Sequence, residues 1–289
     1  MSDYSCSDQK NKVIPKGILV PIGGNEDKIN DMTILSTIVS LVKKHKKKIE
    51  IITTASYSEE IAEAYFDAFK NKNHIVKSMH LDSPEQANDI TLVKRITEAD
   101  IIFFTGGSQL RITSILGGSP IVKEIIRKYE EEFCVIAGTS AGASVMSETM
   151  IYGSDDEEAL HSDSINMSTG LGLIENVIID THFIQRGRFS RLMQIVSMNT
   201  KNLGIGLGED AAVVIEDGRI LRAIGNGITV ILDGQHLKYT NVAEINFDEA
   251  IAIENLILHT IVNGHGYDLC ENKYLKPDDF EQLKHKKVK

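Results

Sequence analysis

Over the first half of this 289-residue chain, short apolar runs trade places with amphipathic helical stretches, and this alternation constrains the fold more than any other feature. GILVPI at 17–22 stops at Gly23-Gly24, as a buried strand ends in a turn. Ile34, Leu35, Ile38, Val39 and Val42 then follow at helical spacing and lead into KKHKKK, a basic cluster suited to the negative end of a helix. The pattern continues with strand KIEIITT (48–54), a helix over 58–70, strand IVKSMHL (75–81), a helix over 85–98 and strand DIIFF (100–104). Helices through 108–130, interrupted at Gly117-Gly118-Ser119-Pro120, precede the strand FCVIAG at 133–138. This order predicts the α/β class, a mostly parallel sheet flanked by helices on both faces, because each crossover returns over the sheet right-handedly. Ligands on such sheets bind beyond the carboxyl ends of the strands.

After residue 205 the pattern changes to AAVVIE, RILRAIG and ITVILDG with Asp-Gly turns, which predicts a β-rich, antiparallel C-terminal extension. The expectation is one domain over 13–270, with flexible tails at 1–12 and 271–289. A formal net charge of −10 opposes the basic footprint of a nucleic-acid binder. The polar start MSDYSCSDQKNK lacks a signal-peptide core, and no apolar run approaches the roughly 20 residues that span a bilayer, so no membrane partner is expected. Three cysteines, Cys6, Cys134 and Cys270, cannot pair fully and show no zinc spacing, which points to a reducing, cytoplasmic setting.

The chemistry concentrates where strands end. Gly138-Thr139-Ser140-Ala141-Gly142 is a G-x-S-x-G turn between a strand and a helix start, which lifts a serine oxygen beside unsatisfied helix-terminal N–H groups. A second glycine loop, Thr105-Gly106-Gly107-Ser108-Gln109, falls at the same carboxyl edge, so Gly107 or Ser108 together with Ala141 is expected to hold an oxyanion. His182, just beyond the apolar run NVIID (176–180), is the candidate base. Glu209 and Asp210 in GIGLGEDAAVVI both qualify as the acid that orients it, and spacing does not choose between them. Arg188 and Arg191 share a helix face, from which guanidinium forks can grip carboxylates.

In their order along the chain, GGNEDK, FFTGGSQLR, GTSAGASVM, IIDTHFIQRGRFSRL and GIGLGEDAAVVI resemble the cyanophycinases, over roughly residues 13–235. Dipeptidase E is similar but more distant. The resemblance implies a glutamine-amidotransferase-like, flavodoxin-like three-layer fold in which serine replaces the cysteine nucleophile. It implies a triad of Ser140, His182 and Glu209, in an order unlike that of the α/β-hydrolases. It further implies a pocket lined by Gln109, Asp180, Thr181, Arg188 and Arg191, no metal or organic cofactor, and a homodimer. Thr181, Ser108 and Gly208 depart from the family's usual residues. The substrate implied is cyanophycin, a polyaspartate whose side chains each carry arginine through an isopeptide bond, cut to β-aspartyl-arginine. The acidic run 155–158 reads first as a solvated loop and alternatively as a partner for its guanidinium groups. The other readings are a peptidase of short aspartyl or isoaspartyl peptides, and a binding module that cuts nothing.

Overall fold

The structure is a computed structural model that describes residues 13–70, 74–154, 160–162 and 165–287. The alternation appears as β1 (Ile18–Ile22), α1 (Thr33–Leu41), β2 (Lys48–Ile52), α2 (Ile61–Phe69), β3 (Ile75–Met79), α3 (Ile90–Glu98), β4 (Ile101–Phe104), α4 (Gln109–Leu116), α5 (Pro120–Glu131), β5 (Val135–Thr139) and a short α6 (Ala141–Ser144). Strands β1, β5, β4, β2 and β3 lie side by side and parallel. Every residue of β1, β4 and β5 is buried, as in strands covered on both faces. Strand alternation divides the core: Ile102 and Phe104 of β4 face one apolar cluster, Ile101 and Phe103 the other.

The breaks between helices have local causes. Asp89 accepts from the Thr91 amide and starts α3, so the expected 85–98 helix divides into a 3-10 turn at Gln86–Asn88 and a separate helix. Ser119 caps α5 with Pro120 in its first turn, where a missing N–H costs nothing. Helix α1 stops at Leu41, before the KKHKKK cluster. Lys44 and Lys48 of that cluster instead meet Asp100 (2.5 Å) and Glu98 (2.9 Å).

The second half contains β6 (Thr149–Ser154), β7 (Ile165–Thr169), β8 (Val177–Thr181), α7 (Phe189–Met198), β9 (Leu203–Leu207), β10 (Ala211–Glu216), β11 (Ile220–Gly225), β12 (Thr229–Asp233), β13 (Tyr239–Thr240), β14 (Ile253–Glu254), β15 (Ile257–Ile261), β16 (Gly266–Asp268), β17 (Lys273–Leu275) and α8 (Pro277–Lys287). Strands β10, β11, β16 and β17 add to β1 in antiparallel fashion and complete a nine-stranded sheet. Asp217 and Gly218, both at positive φ, make the β10–β11 turn.

The strand before His182 stands apart from the main sheet: β15, β12, β9 and β8 form a separate four-stranded sheet. The expectation of a flexible tail at 271–289 needs correction over 271–287. β17 pairs with β16, Leu275 is buried, and Phe280 packs so closely on Gly266 that a β-carbon there would meet its ring at 2.6 Å. Residues 1–12 lie outside the described residues. Cys134 is free and buried, whereas Cys270 is disulfide-bonded, so cysteine usage does not argue for a reducing compartment. No described helix is long and apolar enough to cross a membrane.

Candidate active site

The turn after β5 shows why glycine flanks the serine. A β-carbon on Gly138 would lie 2.4 Å from the Gly142 carbonyl oxygen, and one on Gly142 would lie 2.5 Å from that of Phe104. Between them Ser140 takes φ 52° and ψ −114°, and its amide donates to the Ile22 carbonyl at 3.0 Å. His182 also sits at positive φ, 49°. Strained backbone at both residues is the kind of outlier that gathers at functional sites, where the surrounding packing holds it in place.

The three residues meet. His182 Nε2 lies 3.0 Å from Ser140 Oγ, and His182 Nδ1 lies 2.8 Å from Glu209 Oε1. Ser140 belongs to the large sheet, while His182 follows β8 and Glu209 follows β9 in the small one. The loop after β1 stitches the sheets together. Gly23 O accepts from the His182 amide (2.8 Å) and Gly24 O from the Asp210 amide (2.9 Å). The imidazole lies flush on Gly24, at φ +104°, where a β-carbon would come within 2.4 Å of His182 Cε1.

Of the two candidate acids, Glu209 is the one that meets the imidazole. Glu209 Oε2 accepts from Asn25 Nδ2 (3.0 Å), and the Glu209 amide donates to Gln185 Oε1 (2.9 Å). The hydrogen bond to His182, then that from Asn25, holds the Glu209 carboxyl below its ordinary range. Asp210 turns to the Asp27 amide and Asn226. The departure at Gly208 also has a spatial setting, because a β-carbon there would lie 2.9 Å from the Ile228 carbonyl oxygen. Sequence reasoning assigned no role to Gly24, Asn25 or Gln185; the usable signal was a polar residue directly after a double glycine at a strand end.

Glu26, next in that loop, was missed as well. It is buried, and its two oxygens accept from Tyr65 and from Thr139, the neighbour of Ser140, each at 2.6 Å. Lys28 Nζ lies 3.2 Å away. Burial, then the Glu26 charge, pushes the Tyr65 phenol far above its usual range.

The two-loop expectation for the oxyanion narrows. Ser108 gives its amide to the Ala55 carbonyl at 2.9 Å and uses its hydroxyl to cap α4, so it is not a free donor. Among the described residues no acceptor takes the amides of Gly107 or Ala141. Gly107 sits at φ +141°, and a β-carbon there would lie 2.2 Å from the Ala55 oxygen. Gly106 backs Ser140, with a built β-carbon 3.4 Å from that of Ser140.

The arginine face points inward. Asp180, 2% exposed, accepts from Arg191 Nε at 2.7 Å and also from Arg191 Nη2. Arg191 is itself buried and is committed to that carboxylate, so neither it nor Asp180 lines an open pocket. Spacing located both arginines on one helix face but could not show that the face meets Asp180. Arg188 donates to the Thr181 carbonyl (2.7 Å) and reaches Asp180 at 3.4 Å, with Thr181 itself buried. Burial pulls the Arg188 guanidinium down to about 10 against the attraction of Asp180, which leaves it charged at neutral pH. Gln109 Nε2 donates to the Ile151 carbonyl (3.1 Å) and so ties α4 to β6. The acidic run 155–158 lies outside the described residues. Among the described residues no group of three or more His, Cys, Asp or Glu side chains could hold a metal ion.

A serine raised on a strand-to-helix turn, an imidazole against its hydroxyl and a carboxylate behind the imidazole can carry out acyl transfer. Known proteins resemble this chain over most of its length. A cyanophycinase of Synechococcus elongatus is 32% identical over 256 residues, 88% of this chain and 80% of its own length. A cyanophycinase from a Nostoc species is 33% identical over 262 residues, 90% of this chain and 88% of that one. The crystal structure of a peptidase from an acI-B1 actinobacterium shares the fold, with a TM-score of 0.64 at 19% identity over 89% of this chain and 98% of that one. The profile of peptidase family S51 matches residues 18–223, from β1 into β11 and through all the residues just described, and the chain therefore belongs to that family of serine peptidases.

Proposed function

We propose that this protein is a cyanophycinase, which hydrolyses the polyaspartate backbone of cyanophycin and releases β-aspartyl-arginine. The observation that carries the reading is the continuous relay from Ser140 through His182 to Glu209, at 3.0 and 2.8 Å. His182 takes the Ser140 proton as the oxygen attacks the scissile carbonyl, and the Gly107 and Ala141 amides receive the oxyanion. Collapse of the adduct breaks the C–N bond, with His182 returning the proton to the departing amine and leaving an acyl-enzyme. Water, activated by the same imidazole, releases the acyl group and restores the serine. Glu209 fixes the ring tautomer and balances the imidazolium charge. Arg188, whose side chain is partly exposed, serves as the cation that meets a substrate carboxylate.

The test is incubation with purified cyanophycin and mass analysis of the soluble products, beside an assay on short aspartyl and isoaspartyl peptides. β-Aspartyl-arginine from the polymer, lost by roughly four or more orders of magnitude in Ser140→Ala, is the expected result. Turnover of short peptides alone would move the assignment to a dipeptidase.

A further inference from the structure

A cleft of about 1050 Å³ lies beside Ser140 rather than over it. It takes in Tyr57, Asp82 and Ser108 beyond the carboxyl ends of β2, β3 and β4 and continues along α4 to Gly117 and Gly118, with the β7 end, Ser168 to Gly170, among its lining residues. In the sheet order β5-β4-β2-β3, Ser140 follows β5, Ser108 follows β4, Tyr57 follows β2 and Asp82 follows β3. At roughly 4.8 Å between strands, Tyr57 and Asp82 stand on the order of 10–15 Å along the sheet edge from the serine. An extended backbone advances about 3.3–3.6 Å per residue, so this is the span of roughly three to four residues.

The far end of the cleft is built around one fixed arginine. Arg111 donates from Nε to the carbonyls of Thr54 (2.9 Å) and Ser56 (3.2 Å) and from Nη2 to Asp82 Oδ1. Its guanidinium lies over the Tyr57 ring, 4.5 Å from the centroid. Asp82 Oδ1 also meets His80 Nε2 at 3.2 Å, while its Oδ2 accepts no hydrogen bond among the described residues. Tyr57 is 85% exposed with one face on Arg111, which leaves the other to solvent. An open aromatic face beside an unoccupied carboxylate oxygen, both held by a third side chain, is the chemistry that receives a planar cation.

We propose that this cleft is a subsite for a guanidinium group carried by a substrate three to four units from the bond being cut, which stacks on Tyr57 and donates to Asp82 Oδ2. The assignment rests on the polymer reading above, because a dipeptide has no unit at that distance. It explains how a long substrate can be gripped away from Ser140 while the reacting carbonyl is held by the glycine loops.

The test uses a fluorescently labelled four-unit β-aspartyl-arginine oligomer and the full chain carrying Ser140→Ala, with binding read by anisotropy. On that background Tyr57→Ala, Asp82→Asn and Ser114→Trp are each expected to weaken binding about tenfold. Ser114→Trp obstructs the cleft from an exposed helix position without touching the Arg111 contacts to Asp82 and Tyr57. An oligomer with citrulline in place of arginine, neutral but similar in shape, is expected to bind about tenfold more weakly to the parent and to ignore all three substitutions. With Ser140 intact, Tyr57→Ala should cleave a short aspartyl substrate as the wild type does. Equal affinity of parent and variants, equal binding of the citrulline oligomer, or no binding of the arginine oligomer would each overturn the subsite. Wild-type chain that cuts neither polymer nor short substrate would sink the functional reading instead, and the anisotropy result would still decide the cleft.

Discussion

Gly24→Ala tests whether the imidazole is pinned by backbone. The new methyl would be placed 2.4 Å from His182 Cε1 and 2.5 Å from Nε2, against the 3.4 Å where ordinary contact begins, so the ring must retreat by about 1 Å. From its present 3.0 Å, the Nε2–Oγ separation would then pass the roughly 3.5 Å at which a hydrogen bond is lost. A displacement of that size costs on the order of a hundredfold in rate, about 2.7 kcal/mol in the barrier. The φ of +104° adds about 1–2 kcal/mol of backbone strain for alanine, a few degrees in melting temperature. The assay is kcat/KM on cyanophycin beside thermal unfolding followed by circular dichroism. The expected pattern is a large loss of kcat with a small loss of stability. Activity within threefold of wild type would refute the idea that this carbon-free surface sets the position of the base.

Asn25→Gly keeps the positive-φ backbone and removes the bond to Glu209, so the depressed carboxyl rises toward its ordinary value and the acid limb of the kcat/KM profile moves to higher pH. Asn25→Asp, which adds a second negative charge there, should move it further. Gly142→Ala forces a methyl to 2.5 Å from the Phe104 carbonyl and should destabilise by about 1–3 kcal/mol in chemical denaturation while abolishing most turnover. Asp268 is pushed up by burial but pulled further down by the two-pronged bond from Arg219 and by the Glu271 and Cys270 amides. Its net-lowered carboxyl therefore stabilises the fold above about pH 4, and that contribution is lost as pH falls toward its folded value; Asp268→Asn should flatten the acid side of a stability–pH curve.

The first five parallel strands were legible because each is an apolar run closed by a turn residue, and because the helices between them carry their buried residues at one period. That Ser140, His182 and Glu209 sit at strand ends was legible because each closely follows such a run. What the sequence hid is lateral placement. Nothing in NVIID or GIGLG says that these strands leave the main sheet, since an apolar run looks alike whichever neighbour pairs with it. Arg191 misled for a related reason, because helical spacing defines a face but not its direction, and the partner, Asp180, is a strand residue with no distinguishing pattern. The supports Asn25 and Gln185 act through single hydrogen bonds across 184 and 24 positions, a separation no local pattern records.

With Ser140 on one sheet and His182 and Glu209 on another, this enzyme carries a built-in gauge of how the two slabs are seated. Slippage of one over the other by a fraction of an ångström would leave both cores intact yet silence the enzyme. Heat or mild urea should therefore inactivate it before the far-ultraviolet signal changes. Amide exchange at Gly23 to Asn25, where the slabs are joined, should report that silent state first.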